Sequence, residues 1–293
     1  TAAALQCGGC VDEIALLDAN IEAAEGEALD LLHGASIVAD QRIYAADYDR
    51  VGDSDIVVIT AGSRRKPDES RLDLINRNVA LFVDILNQLK QNKLNEKAII
   101  IVVSNPVDVL TRLAVERLDH CPDRIIGLGT VLDTTRFRSL IAEDLKLLPT
   151  QLQAIILGEH GDTMVPIWST AAVNGLPLTK WPGMSPAKQN ELFKRTQGSG
   201  AEVIRRKGGA GWAVGLSIRE VIDAIVMNQR RVLPVSSKQS GAYGVHHTCL
   251  SVPTIIGQRG VVKRLEIELW PKEATGIKAS AAALDETYSK ISV

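Results

Sequence analysis

Short apolar runs without polar alternation recur along the first half of the chain. They are rich in β-branched and aliphatic side chains, and they cover residues 14–17, 55–60, 98–103 and 125–128. A parallel strand that is covered on both faces has this composition, because each face meets a hydrophobic core. The pattern therefore predicts a series of buried parallel strands.

A helical period separates these runs, most clearly after the second of them. Apolar residues recur there every three or four positions, as in a helix with one face on a core. The stripe consists of Leu72, Ile75, Val79, Phe82, Val83, Leu86 and Leu89. Strands that alternate with helices predict an α/β fold, with a doubly wound parallel sheet (Rossmann) and right-handed crossovers.

The pattern changes after about residue 127. It predicts a helix at 134–145, an apolar strand at 152–157, an amphipathic helix at 215–232, extended segments at 244–252 and 261–269, and a final helix from Lys272. This mixture is typical of an α+β domain. We therefore predict a dinucleotide-binding domain at residues 1–126 and a catalytic, substrate-binding domain at residues 127–293, without a flexible linker.

The N-terminal segment lacks the glycine-rich phosphate loop, G-x-G-x-x-G, of a dinucleotide-binding domain. Residue 1 falls where the helix after such a loop would already have begun, so we expect the first strand and the loop to lie upstream of the printed sequence; a truncated protein is the alternative. A parallel sheet without its central strand would expose two unpaired edges and an apolar slot. Cys7 and Cys10 form a single C-x-x-C, which we interpret as a helix-to-strand turn; a zinc or redox site is the alternative.

Composition narrows the class of function. The 33 Lys and Arg nearly balance the 35 Asp and Glu, so no overall field attracts nucleic acid or an anionic membrane. No apolar run approaches the roughly 20 residues that cross a bilayer, and four cysteines do not make a disulfide framework. We therefore expect a soluble cytoplasmic protein without nucleic-acid or membrane partners. The cations Arg64, Arg65, Lys66 and Arg71, which follow a predicted strand, must then act locally.

Polar residues with possible chemical roles follow the predicted strands, where ligands of such sheets bind. Asp18 ends the first run and could accept hydrogen bonds from the ribose of NAD, although a turn or helix cap is equally compatible. Asn105, in S-N-P-V-D, offers an amide at a strand end, or forms an ordinary turn. His160, in L-G-E-H-G-D-T, is accessible as a general acid/base, or is structural.

Asp133 and Arg136 lie three residues apart in L-D-T-T-R-F-R and so share a helix face. As a pair they could be a surface salt bridge. With His160 they could instead provide an orienting carboxylate and a guanidinium that binds a substrate carboxylate.

In order and spacing, these motifs resemble the family of NAD-dependent lactate and malate dehydrogenases over residues 1–293. The matching blocks are T-A-G-x-R, E-S-R-L-D-L, S-N-P-V-D, L-D-T-T-R-F-R, L-G-E-H-G-D-T, G-W-A-V-G-L-S and S-V-P-T-I-I-G. The resemblance implies that His160 exchanges a proton with the substrate oxygen and that Asp133 stabilises the protonated imidazole. It also implies that Arg136 binds the 1-carboxylate, that Arg71 polarises the carbonyl, and that Asn105 supports both substrate and cofactor.

The resemblance implies a mobile lid, from Gly62 to about Arg71, that closes over the substrate. Within it, lactate enzymes typically carry Gln and malate enzymes Arg at the position of Arg65. A second substrate carboxylate needs a cation in a closed, dry site, so Arg65 favours (S)-malate and oxaloacetate. Ala210 also favours malate, because lactate enzymes usually have Thr at this position. Glu69, by contrast, resembles the lactate enzymes more than the malate enzymes.

We therefore predict a malate dehydrogenase of the lactate-dehydrogenase-like kind, an oxidoreductase of the tricarboxylic acid cycle. L-lactate dehydrogenase, acting on pyruvate and lactate, is the alternative. An NAD-dependent glycosidase with a metal and a non-catalytic nucleotide-binding protein are more remote. The family implies a homotetramer or homodimer. The sugar-phosphate effector site of its bacterial lactate enzymes pairs an Arg with a His; Arg138 is in place, but Gln153 stands where the His would be, which argues against such a site. The cofactor contacts implied are Asp18, Thr60, Ala61, Gly62, Val103, Asn105 and Val214; no metal is expected.

Overall fold

A computed structural model describes residues 1–63 and 69–291 of the chain. The first half alternates strands and helices. Its strands are β1 (Glu13–Leu16), β2 (Arg42–Ala45), β3 (Ile56–Ile59), β4 (Ile99–Val102) and β5 (Ile125–Gly127). Its helices are α1 (Ala2–Gln6), α2 (Ile21–Val38), α3 (Arg71–Gln91) and α4 (Val107–Arg117).

The second half mixes helices with antiparallel strands. Its helices are α5 (Val131–Leu145), α6 (Pro186–Lys207), α7 (Trp212–Val226) and α8 (Pro271–Ser289). Its strands are β6 (Leu152–Leu157), β7 (Val165–Val173), β8 (Leu176–Pro177), β9 (Arg231–Leu233), β10 (Ser236–Ser240), β11 (His246–Ser251), β12 (Thr254–Gly257) and β13 (Gly260–Arg264). Within the described ranges, no helix is long and apolar enough to span a membrane.

The central sheet has the strand order β11-β10-β5-β4-β3, in which β3, β4 and β5 are parallel and β10 and β11 are antiparallel additions. This α/β architecture with a parallel sheet confirms the predicted fold class. Strand β4 is buried along its whole length, as the apolar run predicted. Its carboxyl end, together with that of β3, opens toward the site described below.

Strand β1 departs from the prediction of burial on both faces. It pairs in parallel with β2 as a separate two-stranded sheet, and Ala15 is exposed. A slot of about 230 Å³ lies between β1 and β3, lined by Ile14, Leu16, Ile56 and Val58 among others. Because no described strand covers this side of β1, its residues cannot be buried as those of β4 are.

Helix α3 carries Arg71 to the sheet edge. Ser70 caps it through a reciprocal pair of hydrogen bonds with Asp73, which satisfies the free N–H groups of the first turn. The predicted stripe is buried at Val79, Phe82, Leu86 and Leu89, in one apolar cluster with α4 and β4. Burying each such side chain contributes about 1.5–3 kcal/mol, so the stripe fixes the helix against the sheet.

Two predicted boundaries were wrong. The helix predicted at 215–232 ends at Val226, because Asn228 and Arg230 adopt left-handed backbone conformations and the chain turns into β9. The extended segment predicted at 261–269 is a strand only to Arg264, and Leu265 then donates its N–H to the carbonyl of Pro253 at 2.7 Å. The C-x-x-C does form a turn between α1 and β1, with Gly9 at a φ of +62°.

Candidate active site

His160 lies in the loop after β6 and is bonded to Asp133 of α5 through Nδ1 and Oδ2. The Asp133 side chain is 1% exposed, and that of His160 is 21% exposed. The other oxygen of Asp133, Oδ1, accepts a hydrogen bond from Nη1 of Arg136 at 3.2 Å. The structure therefore brings together three of the predicted residues. With Nδ1 held by the carboxylate, Nε2 is the imidazole atom left to exchange a proton with a ligand.

The first turn of α5 is fixed to β6 by two buried threonines. Thr130 donates from Oγ1 to the carbonyl of Ile156 at 2.5 Å, and Oγ1 of Thr134 accepts from the Ile156 N–H at 2.9 Å. Asp133 lies between these two threonines in sequence. The two bonds place its carboxylate opposite the loop that carries His160.

The electrostatics favour an ionised pair. Burial alone would lower the pKa of His160, but the charge and hydrogen bond of Asp133, aided by Asp108, outweigh burial, and the pKa lies above its ordinary value. Burial would likewise raise the pKa of Asp133, but His160 and Arg136 outweigh it, and that pKa is lowered. The imidazole is thus basic enough to take a proton and keeps the carboxylate charged.

Arg71, the first residue of α3, faces the same loop. Its Nη1 donates to Oδ2 of Asp162 at 2.6 Å, and the two side chains are 68% and 82% exposed. Asp162 lies two residues beyond His160 and was not identified from the sequence. An ion pair this exposed contributes at most about 1 kcal/mol, so Arg71 can exchange Asp162 for another anion.

Asn105 is exposed at the carboxyl end of β4 and precedes a cis peptide bond to Pro106. Its carbonyl accepts from Nδ2 of Asn78 at 3.0 Å, and Oδ1 of Asn78 accepts from the N–H of Ser63 at 2.8 Å. One buried amide therefore connects the loops that follow β3 and β4. Sequence reasoning missed Asn78, although a polar residue directly beside the apolar stripe of α3 is a signal for a buried role.

The carboxyl ends of β1, β3 and β4 fit a dinucleotide. Asp18 and Thr60 are exposed there, and the side chain of Asp18 accepts only the N–H of Asn20, at 2.9 Å, within the described chain. A Cβ placed on Gly62 meets no described atom within 4 Å, so the backbone there is open to a ligand. Ala61 is exposed beside it, and Val103 is half-buried at the end of β4.

The remaining predicted positions are less central. Val214 of α7 is half-buried against the core, and Ala210 is exposed in the turn between α6 and α7. Arg136 lines a cavity of about 390 Å³ between α5 and α7. Arg64, Arg65 and Lys66 lie outside the described residues.

The arginine considered for an effector site is already engaged. Nε of Arg138 donates to the carbonyl of Ala154 at 2.8 Å, and burial lowers the pKa of its guanidinium. Gln153, by contrast, is exposed.

Comparisons with known proteins agree with this geometry. Residues 1–127 match the lactate/malate dehydrogenase NAD-binding domain, and residues 130–292 match the lactate/malate dehydrogenase alpha/beta C-terminal domain. The L-lactate dehydrogenase of Acetivibrio thermocellus is 38% identical, over 100% of this chain and 93% of its own length. That of Gloeobacter violaceus is 40% identical, over 96% of this chain and 86% of its own length.

Solved structures agree too. The minor L-lactate dehydrogenase of Enterococcus mundtii, in a ligand-bound form, superposes with a TM-score of 0.95 at 33% identity, covering 100% of this chain and 94% of its own. A lactate dehydrogenase from a Medee basin deep-sea metagenome library has a TM-score of 0.94 at 32% identity. The alignment covers 99% of this chain and 93% of that one.

The chain therefore belongs to the NAD-dependent lactate/malate dehydrogenase family, as its motifs predicted. It is an oxidoreductase of the type that acts on a 2-hydroxy or 2-oxo acid, and its cofactor is NAD.

Proposed function

We propose that this protein is an L-lactate dehydrogenase, which interconverts L-lactate and pyruvate. The proposal rests on one observation: the curated relatives that align with nearly the whole chain carry that name, at 38% and 40% identity. Arg65 in the sequence predicted a preference for malate, with L-lactate dehydrogenase as the alternative. The present proposal adopts that alternative. The chemistry at the 2-hydroxyl is the same for both substrates.

His160 is the general acid and base in this proposal. The bound cofactor would supply the redox chemistry: NAD would take up the hydride from C2 of lactate, and NADH would return it to C2 of pyruvate. In oxidation, Nε2 of His160 takes the hydroxyl proton, and the buried Asp133 carboxylate stabilises the imidazolium that forms. In reduction, the same imidazolium returns the proton to the new alkoxide oxygen.

The arginines bind and polarise the substrate. Within residues 1–63 and 69–291, Arg136 donates to Asp133 through a single nitrogen, so its remaining N–H groups can form a two-pronged ion pair with the substrate carboxylate. Arg71 leaves Asp162 and faces the C2 oxygen, where negative charge develops during reduction. Asn105 adds a hydrogen-bond donor at the end of β4.

Malate dehydrogenase remains the second candidate because one specific residue favours it. Arg65 supplies a cation for the second carboxylate of oxaloacetate, where the family's lactate enzymes have Gln. A buried charge left without its partner costs on the order of 3–5 kcal/mol, which corresponds to a preference of at least about a hundredfold.

The two candidates are separated by the rate of NADH oxidation with pyruvate and with oxaloacetate. The proposal expects the larger kcat/KM with pyruvate, and a larger value with oxaloacetate would replace lactate by malate. Arg65→Gln should lower turnover of oxaloacetate far more than that of pyruvate. Arg64→Gln, which removes the same charge one position away, is the matched control.

The assignment of His160 is tested separately. His160→Asn should abolish turnover of both substrates while NADH still binds, as measured by its fluorescence. Appreciable residual turnover would show that another group moves the proton.

We further propose that residues 1–126 bind NAD, that residues 127–293 carry the catalytic residues, and that the protein is a cytoplasmic homotetramer or homodimer. The exposed apolar residues of α2 support self-association: Ile21, Leu29, Leu32 and Ile37. Light scattering after size-exclusion chromatography would measure the subunit number, and a monomer would contradict this part.

A further inference from the structure

The loop that carries His160 joins β6 to β7 and is held from several sides. The ring of His160 is bonded to Asp133, and its backbone N–H donates to Oδ2 of the buried Asp108 at 2.7 Å. Residues that flank His160 in the loop are bonded instead to α8, the last helix of the chain. The contact on α8 is the hydroxyl of Ser280, whose side chain is fully buried.

The Ser280 hydroxyl closes a ring of hydrogen bonds with Glu159 and Thr163. Its Oγ accepts from the backbone N–H of Glu159 at 2.6 Å and lies 3.0 Å from Oγ1 of Thr163. The Thr163 hydroxyl donates its own proton to Oε2 of Glu159, and the Thr163 N–H donates to the same oxygen at 3.2 Å. Because the Thr163 proton is already engaged, Ser280 is the donor in the bond between the two hydroxyls. Both ends of the loop are thus tied to one point of α8.

Two glycines make room for this ring. Gly158 has a φ of +85°, and a Cβ there would lie 2.8 Å from Oγ of Ser280. A Cβ on Gly161 would lie 2.7 Å from Oε1 of Glu159, whose side chain folds over the loop. A side chain at either position would therefore displace the hydroxyl or the carboxylate from the ring.

Ser280 is a polar residue on the apolar face of α8. Ile277, Ala281 and Leu284 are buried on that face, in one cluster with residues of β6 and β7. These apolar side chains fix the helix against the strands. A buried hydroxyl is costly unless it is hydrogen-bonded, so packing alone would favour an apolar residue at position 280. The hydroxyl adds a directed contact between the helix and the loop.

We propose that Ser280 is a positioning residue for His160. Through Glu159 and Thr163 it fixes the loop, so that Nδ1 of His160 stays on Asp133 while Nε2 faces the substrate. Ser280 is fully buried and cannot reach a substrate itself. Misplacement of a catalytic group by about 1 Å can cost on the order of a hundredfold in rate. The inference rests on the proposed role of His160 in proton transfer and holds for pyruvate and oxaloacetate alike.

The test begins with Ser280→Ala, which leaves the N–H of Glu159 without its acceptor. The kcat of NADH oxidation should fall about tenfold with pyruvate and by the same factor with oxaloacetate, because the loop no longer holds His160 in place. The affinity for NADH, measured by its fluorescence, should stay the same. An unchanged kcat would overturn the proposal.

Ser169→Ala is the matched control. The Ser169 hydroxyl donates to Oε2 of Glu273 at 2.6 Å and so ties the first turn of α8 to β7. The variant removes one hydrogen bond of the same helix, so it should lower the melting temperature as Ser280→Ala does and leave kcat unchanged. Equal losses of kcat in the two variants would show that any loosening of α8 lowers turnover, and the positioning role would fail.

Variants of Thr163 test the ring from the side of the loop. Thr163→Val removes the hydroxyl and should lower kcat as Ser280→Ala does, whereas Thr163→Ser keeps the hydroxyl and should retain most of the activity. These two variants decide the matter if Ser280→Ala does not fold. If the ring acts as one unit, Ser280→Ala combined with Thr163→Val should lose no more than the larger single loss. Losses that multiply would show two independent contacts and contradict the proposal.

The outcomes also separate this inference from the proposed function. If His160→Asn abolishes turnover but Ser280→Ala and Thr163→Val retain the full kcat, the positioning role fails and the dehydrogenase mechanism stands. If His160→Asn retains turnover, the mechanism itself fails.

Discussion

Arg71 of α3 is bonded to Asp162, at 2.6 Å, across 91 residues of sequence. The arginine proposed to polarise the substrate therefore already contacts the loop of His160. Asp162 competes with any anion that approaches Arg71, but the pair is exposed and its bond is readily exchanged.

Asp162→Asn should therefore lower the KM for pyruvate, because Arg71 no longer has to leave a carboxylate. A released bond of about 1 kcal/mol corresponds to at most about a fivefold change. Steady-state kinetics at low ionic strength would measure it. Glu143→Gln, which breaks the exposed pair with Arg195, is the control. A KM that rises or stays constant would contradict the prediction.

Asn78→Ala should weaken NADH binding and destabilise the fold. The substitution removes the hydrogen bonds to Ser63 and Asn105, and loss of partners for buried polar groups costs about 1–3 kcal/mol. Isothermal titration with NADH and thermal unfolding would measure the two effects. Asn190→Ala, at an exposed position on α6, should change neither. Unaltered NADH affinity would mean that Asn78 does not organise the cofactor loops.

The His160–Asp133 pair should make stability depend on pH. The pKa of Asp133 is lower in the folded protein than its value of about 4 in the unfolded chain. Asp133 therefore stabilises the fold above about pH 4, and this stabilisation is lost as the pH falls through the folded-state pKa. The pKa of His160 is higher in the folded protein than its value of about 6.5 in the unfolded chain. His160 therefore stabilises the fold below about pH 6.5, and this stabilisation is lost as the pH rises through the folded-state pKa. Both contributions are therefore fully present between about pH 4 and 6.5.

Asp133→Asn should consequently reduce the free energy of unfolding more at pH 6 than at pH 9.5. Breaking a buried pair costs on the order of 3–5 kcal/mol at the lower pH, and urea unfolding at both values would measure the difference. Asp144→Asn, which breaks the pair with Lys188, should show no such contrast, because hydrogen bonds to Asp144 and Glu191 hold the pKa of Lys188 above its ordinary value. Equal losses for Asp133→Asn at both pH values would argue against an ionised imidazole.

The sequence predicted the elements whose burial is uniform. The run at 98–103 contains β4, all of whose side chains are buried, and the stripe of α3 is buried at Val79, Phe82, Leu86 and Leu89, whereas Leu72 in the first turn is exposed. Helix α6 and strand β10 were missed, since one is largely polar and the other reads S-S-K-Q-S. Apolar periodicity likewise could not reveal the left-handed residues that end α7.

The site shows the same division. Asp133 and Arg136 were predictable because three residues along a helix place them on one face, and His160 because it follows a strand. The bonds of Asn78, Asp108 and Asp162 join loops that meet only after the strands are ordered. These contacts depend on the order of the strands in the sheet, which cannot be predicted from the local pattern of apolar and polar residues.

The pairing of Ser236 in β10 with Gly127 in β5 makes the sheet continuous across the boundary between the two family domains. A Cβ on Gly127 would lie 2.3 Å from Oγ1 of Thr111 and 2.9 Å from Cβ of Ser236. Position 127 therefore has no space for a side chain larger than that of glycine. Separating the two halves near residue 127 would remove β10 from β5 and leave an unpaired strand edge. The two halves should accordingly unfold together, in a single cooperative transition.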